Sequence, residues 1–139
     1  MKSIAVDTSF LINMHILGLL DQLCKICDPI FITPSVWEET SELHSLLLKL
    51  RCIKRISLSE EERKVAQELH DEFTRKYKGT HHGEIEALVV ATFRKIPLIL
   101  CDNFAPWYLQ KLHRGLYLKP QIARGHSAVE KMLSEGCQQ

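Results

Sequence analysis

Two short apolar runs in this chain each end in an aspartate. Ile4-Ala5-Val6 leads into Asp7, and Pro97-Leu98-Ile99-Leu100-Cys101 leads into Asp102. Runs this short and this apolar suit strands covered on both faces. A third such run is Ile30-Phe31-Ile32-Thr33, and Ile53 to Leu58 alternates weakly, as an edge strand does. The segments between them carry helical periodicity. Strands alternating with helices argue for a parallel sheet with helices on both faces. In such a sheet Asp7 and Asp102 reach the same edge, the one where open α/β sheets form ligand sites.

The helical segments have legible starts and stops. Leu11, Ile12, Ile16, Leu19, Leu20, Leu23, Cys24 and Cys27 recur at helical spacing within Phe10 to Cys27, and Gly18 and Asp21 predict a break between two helices. Asp28-Pro29 is a stop, since the residue before proline is pushed out of the helical region. Pro34 and Ser35 open a helix through Glu39, with Pro34 suited to a first helical position. Leu43, Leu46, Leu47 and Leu50 continue the spacing. Ser59-Glu60-Glu61-Glu62 is a capping box read as a solvated cap, and the helix behind it runs to about Tyr77 with Val65, Ala66, Leu69 and Phe73 on its buried face. His81 and His82 read as a polar lead-in to a helix from Glu84 to about Arg94. Beyond Asp102 the pattern predicts a helix from Phe104 to His113, a strand at Leu116 to Leu118 and a helix from about Ser127 to Ser134. Trp107 and Tyr108 are assigned to core or dimer packing.

The totals set bounds. A chain of 139 residues with no linker or repeat reads as a single domain over 1–139. No apolar run approaches the roughly 20 residues that span a bilayer. Met1-Lys2-Ser3 leads straight into a strand, which is not a secretory start, so the expected location is cytoplasmic with no membrane contact. In that compartment the five cysteines are expected as free thiols, with Cys24 and Cys27 packed in a helix core rather than on zinc. Net charge is +1, which does not announce a nucleic-acid binder. Acids sequestered in one site would leave the remaining surface more basic than that total.

Four routes bring carboxylates toward the Asp7 edge: Asp7 itself, Asp102, Glu38 or Glu39 after the second strand, and Glu84 or Glu86 on the helix before the Pro97 strand. Carboxylates gathered closely repel one another unless a cation neutralises them. All-oxygen donors suit Mg²⁺ or Mn²⁺.

The stretches Ile4-Ala5-Val6-Asp7-Thr8-Ser9, Thr33-Pro34-Ser35-Val36-Trp37-Glu38-Glu39, Gly83-Glu84-Ile85-Glu86-Ala87-Leu88 and Leu100-Cys101-Asp102-Asn103 resemble the PIN domain in order and spacing, over about residues 3 to 119. The resemblance implies a Rossmann-like three-layer α/β/α sandwich with a central parallel sheet. It implies a Mg²⁺- or Mn²⁺-dependent endoribonuclease cutting single-stranded RNA, as a toxin–antitoxin toxin or an RNA-processing enzyme. It also implies a homodimer and, for a toxin, an antitoxin partner.

Carried over residue by residue, Asp7 matches the first metal-binding acid, and Thr8 or Ser9 the hydroxyl that orients it or a water. Glu39 matches the second acid, with Glu38 as fallback. The third is open: counting back from Ala91 favours Glu86, the Gly-Glu pair favours Glu84, and residues at i and i+2 do not share a helix face. Asp102 matches the fourth. Asn103 stands where many relatives place a further acid, which bears on a second metal site and on catalytic strength. Arg51, Lys54 and Arg55, then Arg75, Lys76 and Lys78, then Lys111 and Arg114 are the candidate phosphate contacts; each group taken singly reads as a solvated face, but some basic surface is needed to bring RNA to an acidic site.

Two rival readings remain. One is a PIN-fold module that binds RNA or protein with little cleavage, supported by Asn103. The other is a phosphotransfer domain with Asp7 as acceptor. Haloacid-dehalogenase-like phosphatases want an aspartate two residues on, where Ser9 stands, and the acid pair and lysine of receiver domains are not evident.

Overall fold

A computed structural model of the chain describes residues 2–76, 82–96, 98–101 and 121–124. The strand β1 (Lys2–Val6) lies at the centre of a five-stranded sheet. Beside it on one side are β2 (Cys27–Ile32) and then β3 (Ile53–Arg55), and on the other β4 (Leu98–Cys101) and then β5 (Gln121–Arg124). Every pairing is parallel, as the alternation of strands and helices requires.

Side-chain alternation divides the sheet into two cores. Ile4, Val6, Ile30 and Ile32 point into one, where they meet Phe10, Leu11, Met14, Leu23, Val36 and Leu47. Ala5 points into the other, with Leu69, Phe73, Ile85, Val89 and Val90. The first core is roofed by α1 (Thr8–Ile16), α2 (Leu20–Ile26), α3 (Pro34–Glu39) and α4 (His44–Leu47). The second is roofed by α5 (Glu60–Lys76) and α6 (His82–Phe93). The fold is therefore the three-layer α/β/α sandwich that the sequence pattern implied.

Boundaries differ from the sequence reading where long-range pairing overrides local signals. The break between α1 and α2 falls at Gly18, whose φ of +69° is left-handed. The strand β2 begins at Cys27, ahead of the proline. Its register against β1 shifts between Lys2↔Cys27 and Ile4↔Ile30, and that irregularity accommodates Pro29, which has no N–H for the ladder. After Glu39 the helix breaks at Thr40, whose hydroxyl donates to Val36 O at 2.7 Å, before a 3₁₀ turn over Ser41–Leu43. The helix α6 starts at His82, two residues ahead of Glu84, with the His82 ring stacked on that of His70 at 3.8 Å. It ends through Lys95, at φ 56°, with the Ile96 N–H returning to Ala91 O at 2.9 Å. No strand was expected at Gln121–Arg124; only its place beside β4 specifies one. The helices expected at Phe104 to His113 and Ser127 to Ser134, and the strand at Leu116 to Leu118, lie outside the described residues.

Two expectations are corrected. Cys24 is bridged to Cys52, not free: α2 and the turn before β3 bring their Cα atoms to 5.4 Å, within disulfide range. The solvated-cap reading of Glu62 also fails. The capping box forms, with Glu62 N–H donating to Ser59 Oγ at 3.1 Å and Ser59 N–H to Glu62 Oε1 at 2.8 Å. The Glu62 side chain is nevertheless only 3% exposed, because Arg94 at the end of α6 reaches over it. Arg94 Nε donates to Oε2 and Nη2 to Oε1, each at 2.9 Å, and Nη2 also donates to Ser57 O at 2.7 Å.

Burial pushes the Glu62 carboxyl up, but the hydrogen bonds from Arg94 and Ser59 and the Arg94 charge outweigh it and hold the group below its ordinary 4.5. A depressed carboxyl contributes stability that is present above its unfolded value and is lost as pH falls through the folded one. Glu62→Gln is therefore expected to lower unfolding free energy at neutral pH by about 1–2 kcal/mol, the lower range for a charged hydrogen bond because Arg94 is partly exposed. In urea titrations at several pH values, the gap between variant and wild type should close below pH 4.5.

Candidate functional site

At the end of β1 the chain turns directly into α1, and Asp7 occupies the joint. Its backbone is extended, and its Oδ1 accepts a hydrogen bond from the Phe10 N–H at 2.8 Å, which makes it the N-cap of α1. The residue is 1% exposed. A buried carboxylate needs donors or positive potential around it, and the start of α1 supplies both. The sheet order reverses between β1 and β4, so their carboxyl ends open the crevice where α/β sheets place ligands. Val6 pairs with Leu100 in register, so the two strands run out together. Asp102 and Asn103, which follow β4 in sequence, lie outside the described residues.

Neighbouring hydroxyls line the same edge. Continuing the register Ala5↔Phe31 sets Thr33 level with Asp7. Thr33 is fully buried, and neither its Oγ1 nor that of Thr8 makes a hydrogen bond among the described residues. Buried polar atoms of this kind are where ordered water or an ion is expected in a native interior. Thr33 was not singled out from the sequence; its signal is a hydroxyl at a strand end directly before the helix-opening Pro34. Ser9 is exposed on the first turn of α1.

The start of α6 closes against this edge at Gly83. A Cβ there would lie 3.1 Å from Thr8 Oγ1, 3.1 Å from Val36 Cγ2 and 3.8 Å from Glu39 Oε1. One residue of α6 thus touches the first turn of α1 and two residues of α3. Glu39, the last residue of α3, is exposed, as is Glu38. Glu84, next to Gly83, is buried.

Glu86 is turned to a different task. Its Oε1 accepts from the Ser35 N–H at 2.9 Å, and its Oε2 accepts from the Ser35 hydroxyl. Thr33 makes no side-chain cap and Pro34 has no N–H, so the Ser35 amide is the first orphan donor of α3, and Glu86 satisfies it from across the fold. The structure therefore separates the two acids of this turn.

Among the described residues, no three His, Cys, Asp or Glu side chains converge closely enough to hold a metal ion. The donors carried by this edge and by the start of α6, namely Asp7, Glu39, Glu84 and the Thr8 and Thr33 hydroxyls, are all oxygens. In chemical type they fit Mg²⁺ or Mn²⁺.

The tight contact at Gly83 has a measurable consequence. Gly83→Ala gains helix propensity of about 1 kcal/mol against a crowded Cβ, and is expected to be nearly neutral. Gly83→Val adds methyls that Val36 has no room to receive, and is expected to destabilise by about 1–3 kcal/mol. Chemical denaturation of the two variants checks the contrast.

Comparison with known proteins yields a family and a fold. A family model described as a PIN domain matches residues 3–106. No curated protein matches the chain. Among solved structures, a chain of the crystal structure of VapBC2 from Rickettsia felis bound to a DNA fragment from their promoter superposes with a TM-score of 0.54. The two are 13% identical, and the match covers 88% of this chain and 98% of that one. At that identity the likeness bears on the fold alone.

Proposed function

Because the chain belongs to the PIN domain family, we propose that it is a metal-dependent endoribonuclease cleaving single-stranded RNA. The observation that carries the reading is the buried Asp7 carboxylate at the carboxyl end of the central strand, beside two buried hydroxyls without hydrogen-bond partners among the described residues. Asp7 and Glu84 are assigned to hold Mg²⁺ or Mn²⁺, with Glu39 and Asp102 completing the carboxylate set. Glu84 is taken ahead of Glu86 as the third acid, because it is buried next to Gly83, the residue of α6 that abuts Thr8 and Glu39. When bound, such an ion supplies a water acidified enough to attack a phosphodiester, and charge to offset that of the transition state.

The chain's own groups do the positioning. The α1 cap holds the Asp7 carboxylate in one orientation. The Thr8 hydroxyl is placed to orient a water or the neighbouring carboxylate. Glu86 anchors α3 to α6 through Ser35, which fixes Glu39 relative to Glu84.

A role as a toxin with an antitoxin protein as partner is in keeping with the fold shared with a chain of the VapBC2 structure; a homodimeric state and a cytoplasmic location belong to the same proposal and rest on the family resemblance alone. No helix among the described residues is long and apolar enough to cross a membrane. A second reading, a PIN-fold RNA- or protein-binding module with weak cleavage, draws on Asn103 in place of a further acid.

The test is cleavage of a labelled single-stranded RNA with Mn²⁺, alongside calorimetric Mn²⁺ binding. Asp7→Asn and Glu84→Gln are expected to lower cleavage by at least about a hundredfold and to weaken Mn²⁺ binding. Glu86→Gln is expected to keep Mn²⁺ binding and to lose stability instead. Metal binding without cleavage by the wild type would favour the binding module. Cleavage that survives Asp7→Asn would sink the nuclease reading.

A further inference from the structure

The edge strand β3 ends in two exposed cations, Lys54 and Arg55, which leave it on opposite faces. Each is held over an aromatic ring. The Lys54 ammonium lies 5.8 Å from the centroid of Phe31. The Arg55 guanidinium carbon lies 3.9 Å from the centroid of Trp37 on α3. The His44 ring is stacked on Trp37 at 3.6 Å and 7°, and its Nε2 is 2.6 Å from Trp37 O. A ring and a guanidinium at those distances cannot share one face, so Trp37 is sandwiched between His44 and Arg55. Among the described residues neither Lys54 nor Arg55 forms an ion pair, whereas Arg94 is locked to Glu62.

Their place in the fold matters as much as their charge. Arg55 pairs with Ile32, and Ile32 falls beside Val6 by the Ala5↔Phe31 register. Arg55 therefore stands at the same carboxyl edge as Asp7, two strand spacings or about 10 Å across the sheet.

The geometry points to Lys54 and Arg55 as a phosphate-binding rim that grips the backbone of single-stranded RNA, with Arg55 set in place by the His44–Trp37 stack. The identity of the ligand rests on the nuclease reading above. An arginine lying flat on a ring keeps its N–H edges free for phosphate oxygens and loses little rotamer entropy on binding. No carboxylate among the described residues has to be displaced. Trp37, covered on both faces, has none left to stack a base, so this rim takes hold of backbone and leaves sequence unread. The bland alternative is that the cations only keep an exposed edge strand from pairing with another chain.

The test uses the full chain in EDTA, so that RNA stays intact, and a short fluorescent single-stranded RNA titrated at several salt concentrations. Arg55→Gln is expected to weaken binding about tenfold at low salt and to make the salt slope shallower by about 0.7, one phosphate contact on a single strand. Lys54→Gln should flatten the slope similarly. Arg55→Lys should keep the slope while binding less tightly, because charge survives and the flat stack does not. Wild-type affinity and slope in Arg55→Gln would overturn the proposal, as would a variant whose only change is self-association in gel filtration. The two readings fail separately. Cleavage that survives Asp7→Asn, with RNA binding still dependent on Arg55, removes the nuclease and leaves the rim. Asp7-dependent cleavage with a silent Arg55 removes the rim alone.

Discussion

β1 is hydrogen-bonded on both edges, to β2 and to β4, and its side chains enter both cores. β2 is held in the same way, between β1 and β3, with Ile30 and Ile32 in one core and Phe31 against the other. A parallel strand in that position has no freedom of register, because a one-residue slip would exchange Ile4 and Val6 with Ala5 between two cores of different shape. The end of β1 is therefore a rigid point, and Asp7 inherits that rigidity. The turn into α1 then uses the carboxylate as its own cap, which ties the orientation of the acid to the formation of the helix.

Around that point the protein settles its acids in different ways. Glu62 is buried but met by Ser59 and by the Arg94 guanidinium, so its charge is neutralised inside the fold. Glu86 spends its oxygens on the first free amide and the hydroxyl of α3. Asp7 caps the start of α1, where the partial positive charge of the helix end favours its carboxylate. The hydroxyls of Thr8 and Thr33 nearby add oxygen donors without adding charge. Oxygen donors of this kind suit the divalent ion proposed above.

Much of this was legible in the chain. The apolar strand ending in Asp7, the Gly18 break, the Pro34 helix start and the Ser59–Glu62 box are all local signals, and each lies where expected. What was missed depends on residues far apart in sequence. Cys24 and Cys52 are separated by 28 positions, and only the packing of α2 on β2, which Cys52 adjoins, brings them together. Arg94 covers Glu62 because α6 runs alongside α5, which turns a solvated cap into a buried carboxylate paired with a partly exposed guanidinium. β5 has too few residues to show a period, and its pairing with β4 alone makes it a strand.

The choice between Glu84 and Glu86 shows where the two kinds of information divide. The sequence by itself determined the alternation of strands and helices, hence a parallel sheet, and placed Asp7 at a strand end with an acidic turn on a later helix. Periodicity and capping are local, so they survive without coordinates. Which acid of that turn faces which neighbour depends on how α6 packs against α3, and the missing Cβ of Gly83 lets them approach closely at Thr8 and Val36. Only the tertiary structure could decide it, because Ser35 and Glu86 meet across 51 residues of chain, and no local pattern encodes their meeting.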